Sequence, residues 1–395
     1  MKKIAVFVDA FLPYFDGVVN VVINYYNILS KYFDITVFVP DYKDCDYSFL
    51  KFKVFKVKSY KNIFDKNFPI PLPYQDKNLK KYLQENKFDL VHVHSPFVLG
   101  KYGLEYANKN NIYSLITIHS QYKKDFKLIF KSNLIANYLV YKFVIKNILK
   151  ANELVNVNKN MENLILNDYK LNKYLKNKNL NFSIFSNATN FKLIDNESKI
   201  KAINEVNNNL QINNNTIVFS FVGRVVKLKN IDLLIETINV LKNKIHNFKV
   251  LVIGTGNYLK KSIKKVKQLN LENYIIFLNK IDNQDYLIKL INRSFLNIFL
   301  SEYDTNTLTK FEFASQKVPS LFLKDTITSS NIIDNVNGYL VEKDFNKIAN
   351  KILDIINSTK YFEVKENAYK QIYLNWDTVV ENQLLKHYLS LTNKK

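Results

Sequence analysis

Apolar residues run along the chain in short blocks, separated by longer stretches in which they recur every three or four positions. The first block, Lys3–Asp9, predicts a buried strand, and a turn with Gly17 leads into an apolar helix over Val18–Lys31. Strands are predicted at Ile35–Pro40 and Phe52–Val57, a helix at Leu79–Asn86, and a strand at Leu90–Val93 within His92-Val93-His94-Ser95-Pro96. A helix at Leu104–Asn110, a strand at Ser114–Ile118, one long helical stretch to about Ala151 and a strand at Leu154–Asn158 complete the series. Strands alternating with helices predict a parallel sheet covered on its faces.

The pattern pauses near Ser183–Asn190; residues 193–215 are polar, and Asn207-Asn208-Asn209 and Asn213-Asn214-Asn215 within them read as loops at a domain boundary. A second series follows. Strands are predicted at Thr216–Val222, Lys249–Ile253, Tyr274–Leu278, Leu296–Phe299 and Ser320–Leu323, and helices at Ile231–Lys244, Tyr258–Leu269, Gln284–Asn292 and Leu308–Gln316. The expected architecture is α/β, with two Rossmann-like doubly wound domains facing a cleft. Their expected extents are 1–195 and 196–372, with a C-terminal helix, 373–395, returning to the first domain. Ligands of such sheets bind beyond the carboxyl ends of the strands.

A chain of 395 residues with 47% hydrophobic content suits two packed cores rather than disorder. With 57 basic against 35 acidic residues, the net charge of +22 favours a polyanionic partner, either nucleic acid or an anionic membrane. The single cysteine, Cys45, allows no internal disulfide, as expected in a reducing compartment. Met1-Lys2-Lys3 and the apolar run behind it imitate a signal peptide, but Asp9 interrupts the run and no small-residue cleavage site follows. No charge-free apolar stretch reaches spanning length, so any membrane would be met at its surface.

Two segments carry chemistry. Gly223-Arg224 directly follows an apolar strand, and Lys229 precedes a helix that Asn230 opens. A strand end, two cations and a helix start make an anion site that could neutralise a diphosphate without metal; two surface cations beside a turn is the plainer reading. In the second segment, Asp304 falls in the loop after a strand and Glu312 one turn inside the next helix. Carboxylates there would accept hydrogen bonds from ribose or sugar hydroxyls, beside free helix N–H groups that suit a phosphate. The alternative is a helix whose early acids only favour its dipole.

These pieces resemble the glycosyltransferases of family four, which have the GT-B fold and keep the anomeric configuration of the donor. Gly17, His119, Asn187, Gly223-Arg224, Lys229-Asn230, Gly254-Thr255-Gly256, the acids Asp304 and Glu312, Pro319, Asn337-Gly338 and Trp376 come in the family's order. A narrower resemblance, to the diacylglycerol glucosyltransferases, rests on Val91-His92-Val93-His94-Ser95-Pro96-Phe97 with Gly100, on Ile116-Thr117-Ile118-His119, and on Thr305 with Leu308-Thr309. Asp304 replaces the usual Glu, and Thr307 and Lys317 stand at family glycines.

The resemblance implies that Arg224 and Lys229 hold the donor diphosphate and stabilise the leaving nucleotide. It implies that Glu312 binds the ribose, that Asp304 binds the transferring sugar and that His119 orients that sugar. Gly17 would lie near the phosphates, Gly256 near the base, and Thr307 and Leu308 at the helix start that receives the donor. The donor is expected to be a UDP-sugar, with UDP-glucose first. The acceptor is expected to be diacylglycerol or a glucosylated relative, at the cytoplasmic face of the cell membrane; the alternatives are a family-four enzyme with a soluble or polysaccharide acceptor and a non-catalytic, polyanion-binding protein.

No cofactor is expected, the nucleotide sugar being a substrate, and no metal. His92 and His94 alternate onto one strand face, but no third ligand stands at sensible spacing. Nucleic acid is not expected as a partner, because stacking and groove-reading signatures are absent. The expected membrane-facing residues are Lys123, Lys124, Lys127, Lys131, Lys142, Lys146 and Lys150. Several fall near one helical face, and Leu134, Ile135, Tyr138, Leu139, Phe143, Val144 and Leu149 cover the rest. A second basic cluster runs from Lys51 to Lys66 with Phe64 and Phe68. A core-packing helix with a solvated lysine stripe is the competing reading of the first cluster.

Overall fold

A computed structural model describes residues 1–14, 16–62 and 68–393, so Phe64 and Lys66 lie outside the described residues. The chain divides into two compact units, Met1–Asn187 with Trp376–Lys395, and Ala188–Asn375. These boundaries differ from the expected 195/196 and 372/373. Asn207-Asn208-Asn209, read above as loop, lies instead in a helix, Asn196–Leu210, started by Asp195, which accepts from the Ser198 N–H at 2.8 Å. The helix buries Ala202 and Val206, and Val206 joins Ile212, Val218 and Leu251 in a cluster of the second unit. So few inward apolar positions left little helical signal in the sequence.

In the first unit β1 (Lys3–Phe7), β2 (Asp34–Pro40), β3 (Lys53–Val57), β4 (Leu90–Val93), β5 (Tyr113–Ile118), β6 (Glu153–Asn156) and β7 (Asn181–Ile184) make one sheet in the order β3-β2-β1-β4-β5-β6-β7. All neighbouring pairs are parallel, with Ile4 beside both Ile35 and Leu90. The core strands are continuous apolar runs because both faces are covered, as in Ala5, Val6 and Phe7, the last stacked on Phe38 at 4.6 Å. β7 escaped the sequence reading because it is an edge strand with exposed Phe182 and Ile184.

The second unit repeats the plan. β8 (Ile217–Val222), β9 (Phe248–Ile253), β10 (Ile275–Leu278), β11 (Leu296–Phe299), β12 (Ser320–Leu323) and β13 (Tyr339–Val341) follow the order β10-β9-β8-β11-β12-β13, again with parallel neighbours. Both sheets reverse direction of growth beside their first strand, between β1 and β4 and between β8 and β11. That reversal leaves a crevice beyond the strand ends, where open α/β sheets bind their ligands.

With 7 glycines, the chain gives many left-handed positions to other residues, among them Asp44, Asn111, Asn230, Asn270, Asp325, Asn331 and Asn335. Short polar side chains tolerate this region best. The helical stretch expected up to Ala151 is broken. Tyr122–Phe130 ends at Lys131, which adopts φ 51°, and Ser132 starts the helix Asn133–Leu139, which continues through a π-helical stretch, Val140–Ile145. Lys131 therefore does not share a helix with Lys142, Lys146 and Lys150.

Candidate active site

The second unit brings several of the predicted donor residues to its crevice. β8 ends at Gly223, and Arg224 follows it with an exposed guanidinium that has no hydrogen bond or ion pair among the described residues. Lys229 is buried, and its ammonium lies 2.5 Å from both carboxylate oxygens of Asp304 and 5.3 Å from the centre of the Phe299 ring. Two residues far apart in sequence, expected to serve neighbouring parts of one ligand, thus form an ion pair. The other acid of that loop, Glu302, faces Asn230 and Lys343 instead.

Asp304 leads into the helix Leu308–Ser315, whose N-cap is Thr307. The Thr307 side chain makes no capping bond, which leaves the first N–H groups of the helix for a ligand. Its backbone, at φ −63° and ψ 136°, is ordinary for any residue, so threonine at this family glycine brings no strain. Lys317, at another family glycine, does adopt φ 57°, and its ammonium is held by Glu366 at 2.8 Å.

Glu312, in the same helix, is largely enclosed, and its carboxyl has no hydrogen bond or ion pair among the described residues. Burial alone pushes it up from 4.5 to about 7. An enclosed carboxyl without a partner is poised to accept from hydroxyl groups brought by a ligand. Two positions before it, Lys310 is buried, its ammonium 3.4 Å from the Thr328 and Ser330 carbonyls, and burial lowers it to about 8. The sequence reading passed over this lysine.

The glycines of the loop after β9 serve close approach. A Cβ on Gly254 would lie 2.0 Å from the Gly223 carbonyl oxygen, and one on Gly256 would lie 2.2 Å from that of Val225. The loop carrying Gly256 is thereby laid against the one carrying Arg224, and Val225 N–H donates to the Thr255 carbonyl at 2.9 Å.

In the first unit Gly17 opens the helix Gly17–Leu29 beyond the end of β1. Asp16 already accepts from the Val18 and Val19 N–H groups, both at 2.9 Å, so part of this helix start is filled by the chain's own carboxylate. His119 follows β5 and is buried, and burial holds it down at about 4, so its ring is neutral. Among the described residues, His92 and His94 belong to no group of three or more His, Cys, Asp or Glu side chains that could hold an ion. They are instead hydrogen-bonded to Tyr26, Tyr388, Thr117 and His119. The tyrosines gave no sequence signal, because in an apolar helix they read as core.

The expected membrane-facing lysines separate into two kinds. Lys124, Lys127, Lys131, Lys142 and Lys146 are exposed, whereas Lys123 is paired with Asp168 at 2.7 Å and Lys150 with Glu105 at 2.5 Å. One face of the segment packs inward, with Ala136, Val140, Val144, Ile145 and Ile148 buried, while the apolar residues at its start do not. Leu134 is 83% exposed and Ile129 69%, and Leu128, Phe130, Ile135 and Tyr138 are exposed as well. Val144 is buried and anchors the far end of the segment. Among the described residues no helix is long and apolar enough to cross a membrane.

Two family models match the chain: Glycosyltransferase Family 4 over residues 15–173 and Glycosyl transferases group 1 over residues 202–371. The alpha-monoglucosyldiacylglycerol synthase of Acholeplasma laidlawii is 26% identical over 355 residues, 87% of this chain and 85% of that one. The poly(ribitol-phosphate) alpha-N-acetylglucosaminyltransferase of Staphylococcus aureus is 28% identical over 175 residues, 44% of this chain and 34% of that one. Among solved structures, Anabaena HepE in complex with UDP and glucose superposes with a TM-score of 0.70 at 17% identity, covering 99% of this chain and all of that one. With both halves of the chain matched in order by these family models, this chain belongs to the family-four glycosyltransferases of the GT-B fold.

Proposed function

We propose that the protein transfers a hexose from a UDP-sugar, with retention of configuration, to diacylglycerol or a glycosylated relative at the cytoplasmic face of a membrane. Arg224 and Lys229 neutralise the donor diphosphate together with the N–H groups after Thr307. Glu312 accepts from the ribose hydroxyls, and Asp304 from the transferring sugar once Lys229 is shared with phosphate. Two cations fixed beside the departing diphosphate stabilise charge as it develops. No divalent ion is required for this, so turnover should survive EDTA; loss on chelation and recovery with magnesium would overturn that part.

The lipid acceptor is carried by one observation: the exposed apolar tip around Phe130 and Leu134, flanked by exposed Lys124, Lys127, Lys142 and Lys146. Large apolar residues at such exposure call for a covering surface, and lysines beside them suit an anionic one. The Acholeplasma relative, named for a glucosyldiacylglycerol product, supports the reading. The Staphylococcus relative, named for a phosphate polymer acceptor, supports a second one in which the basic charge meets a soluble polyanion. The test supplies radiolabelled UDP-glucose with either diacylglycerol in anionic vesicles or poly(ribitol phosphate). Labelled glycolipid, with flotation lost in a Leu134→Asp, Lys142→Glu, Lys146→Glu variant, is the expected result. Label on the polymer alone, or no flotation of the wild type at low salt, would replace the lipid reading.

A further inference from the structure

The loop that follows β12 is buried although four of its five residues, Thr326, Thr328, Ser329 and Ser330, carry hydroxyls. Buried polar groups need partners, and the loop supplies part of them itself. The Thr326 hydroxyl donates to the Leu323 carbonyl at 3.0 Å, and the Ser329 hydroxyl to the Thr326 carbonyl at 2.8 Å. Other contacts tie the loop to its surroundings. The Thr328 hydroxyl donates to the main-chain carbonyl of Asp304 at 2.8 Å, and the carbonyls of Thr328 and Ser330 each lie 3.4 Å from the Lys310 ammonium. All these residues belong to the second unit.

Lys310 is an unusual residue for its place. It is buried and borders a small cavity with Ala314, Phe322, Ile332 and Ile372. Among the described residues no carboxylate is paired with it, and burial alone lowers it. An ammonium taken out of water without a counterion costs the fold stability. A methionine of similar length would fill the same space without that cost. Packing therefore does not account for a lysine here. What the ammonium adds is attraction for the two carbonyl dipoles of the loop, which holds Thr328 in place.

We propose that Thr328 and Lys310 are positioning residues for Asp304: the Thr328 hydroxyl fixes the main chain at Asp304, and Lys310 fixes the loop that carries Thr328. This rests on the reading of Asp304 as a contact of the transferring sugar. The Asp304 side chain is short, so its main chain decides where the carboxylate stands beside the Lys229 ammonium, 2.5 Å away. β11 and β12 are neighbours in the sheet, and the loop after one thereby sets a carboxylate in the loop after the other. A small displacement of such a contact costs turnover more than affinity, because Arg224, Glu312 and the helix start still hold the nucleotide half of the donor.

The test compares Thr328→Val, Thr328→Ser and Lys310→Met with wild type, by steady-state transfer of radiolabel from UDP-glucose and by amide hydrogen exchange of the loop 301–307. Thr328→Val keeps the shape and removes the hydroxyl. Its kcat should fall about tenfold with donor KM changed less than about twofold, and the loop should exchange about tenfold faster. Thr328→Ser keeps the hydroxyl and loses a buried methyl. It should melt below wild type yet keep kcat within about twofold, so that activity follows the hydroxyl and not the melting temperature. Lys310→Met should lower kcat about as much as Thr328→Val while its melting temperature stays level or rises. In an Asp304→Asn background Thr328→Val should cost less than about twofold more, because residues that act through one another are not additive. A full tenfold loss in that background overturns the proposal. So does normal kcat in Thr328→Val or Lys310→Met, unchanged exchange of the loop, or a serine variant as impaired as the valine one. Asp304→Asn separates the two failures: wild-type turnover there removes the sugar assignment itself, whereas lost turnover there with normal kcat in Thr328→Val removes only the positioning role.

Discussion

Replacing Glu312 by Gln should make the ligand-free protein more stable at alkaline pH and indistinguishable from wild type in acid. The carboxyl is raised from 4.5 to about 7 by burial, without a cation beside it. Below about pH 4 it is neutral in the folded and unfolded chains alike. As pH rises through 4.5 the unfolded chain ionises first, while the folded one keeps its proton until about 7. The stability that goes with the neutral carboxyl is therefore complete at low pH and lost on passing 7. The gap between the two values corresponds to about 3 kcal/mol, at about 1.36 kcal/mol for each tenfold. Glutamine cannot ionise, so Glu312→Gln should gain about 3 kcal/mol over wild type at pH 8. For a domain of this size that is roughly 10 °C in the melting temperature of the second unit. Thermal unfolding of both proteins from pH 4 to 8 measures it. The donor gives a second reading. If ribose hydroxyls require the carboxylate, only the ionised fraction binds, and wild-type affinity for a nucleotide sugar should rise about tenfold between pH 6 and pH 8. Melting curves that stay parallel across this range, or an affinity that does not rise, would refute the buried neutral acid.

The exposed, unpaired guanidinium of Arg224 predicts that Arg224→Ala lowers sugar transfer about a hundredfold without moving the melting temperature; radiolabel transfer beside calorimetry checks both. Asp304→Asn should leave the buried Lys229 ammonium without its ionic partner and cost about 2–3 kcal/mol, less than for a fully buried pair because Asp304 is partly exposed, as read by urea unfolding. Gly256→Ala sets a methyl against the Val225 carbonyl oxygen, and about 1–3 kcal/mol of destabilisation is expected, with weaker nucleotide binding; an unchanged melting temperature would show that the loop yields freely.

The sequence by itself determined the elements whose causes are local. A largely apolar run such as Ile217–Val222, bounded by turn residues, reads as a strand covered on both faces, and its break at Gly223-Arg224 marks the edge of a crevice. Thr307 to Glu312 is likewise a helix start that any reading of periodicity finds, and its acids follow from the residue types. Asn196–Leu210 and β7 were missed because one buries few apolar side chains and the other lies at a sheet edge, so neither pattern is strong. What only the tertiary structure decided is pairing and exposure. No local rule says that Lys229 closes on Asp304 rather than standing free, or that Tyr26 from one helix and His94 from one strand come together beside His119. Nor can periodicity tell whether Leu134, Ile135 and Tyr138 face a core or solvent. The pattern records only that the side chains share an apolar character, and which surface they meet depends on where the chain turns, here at the left-handed Lys131.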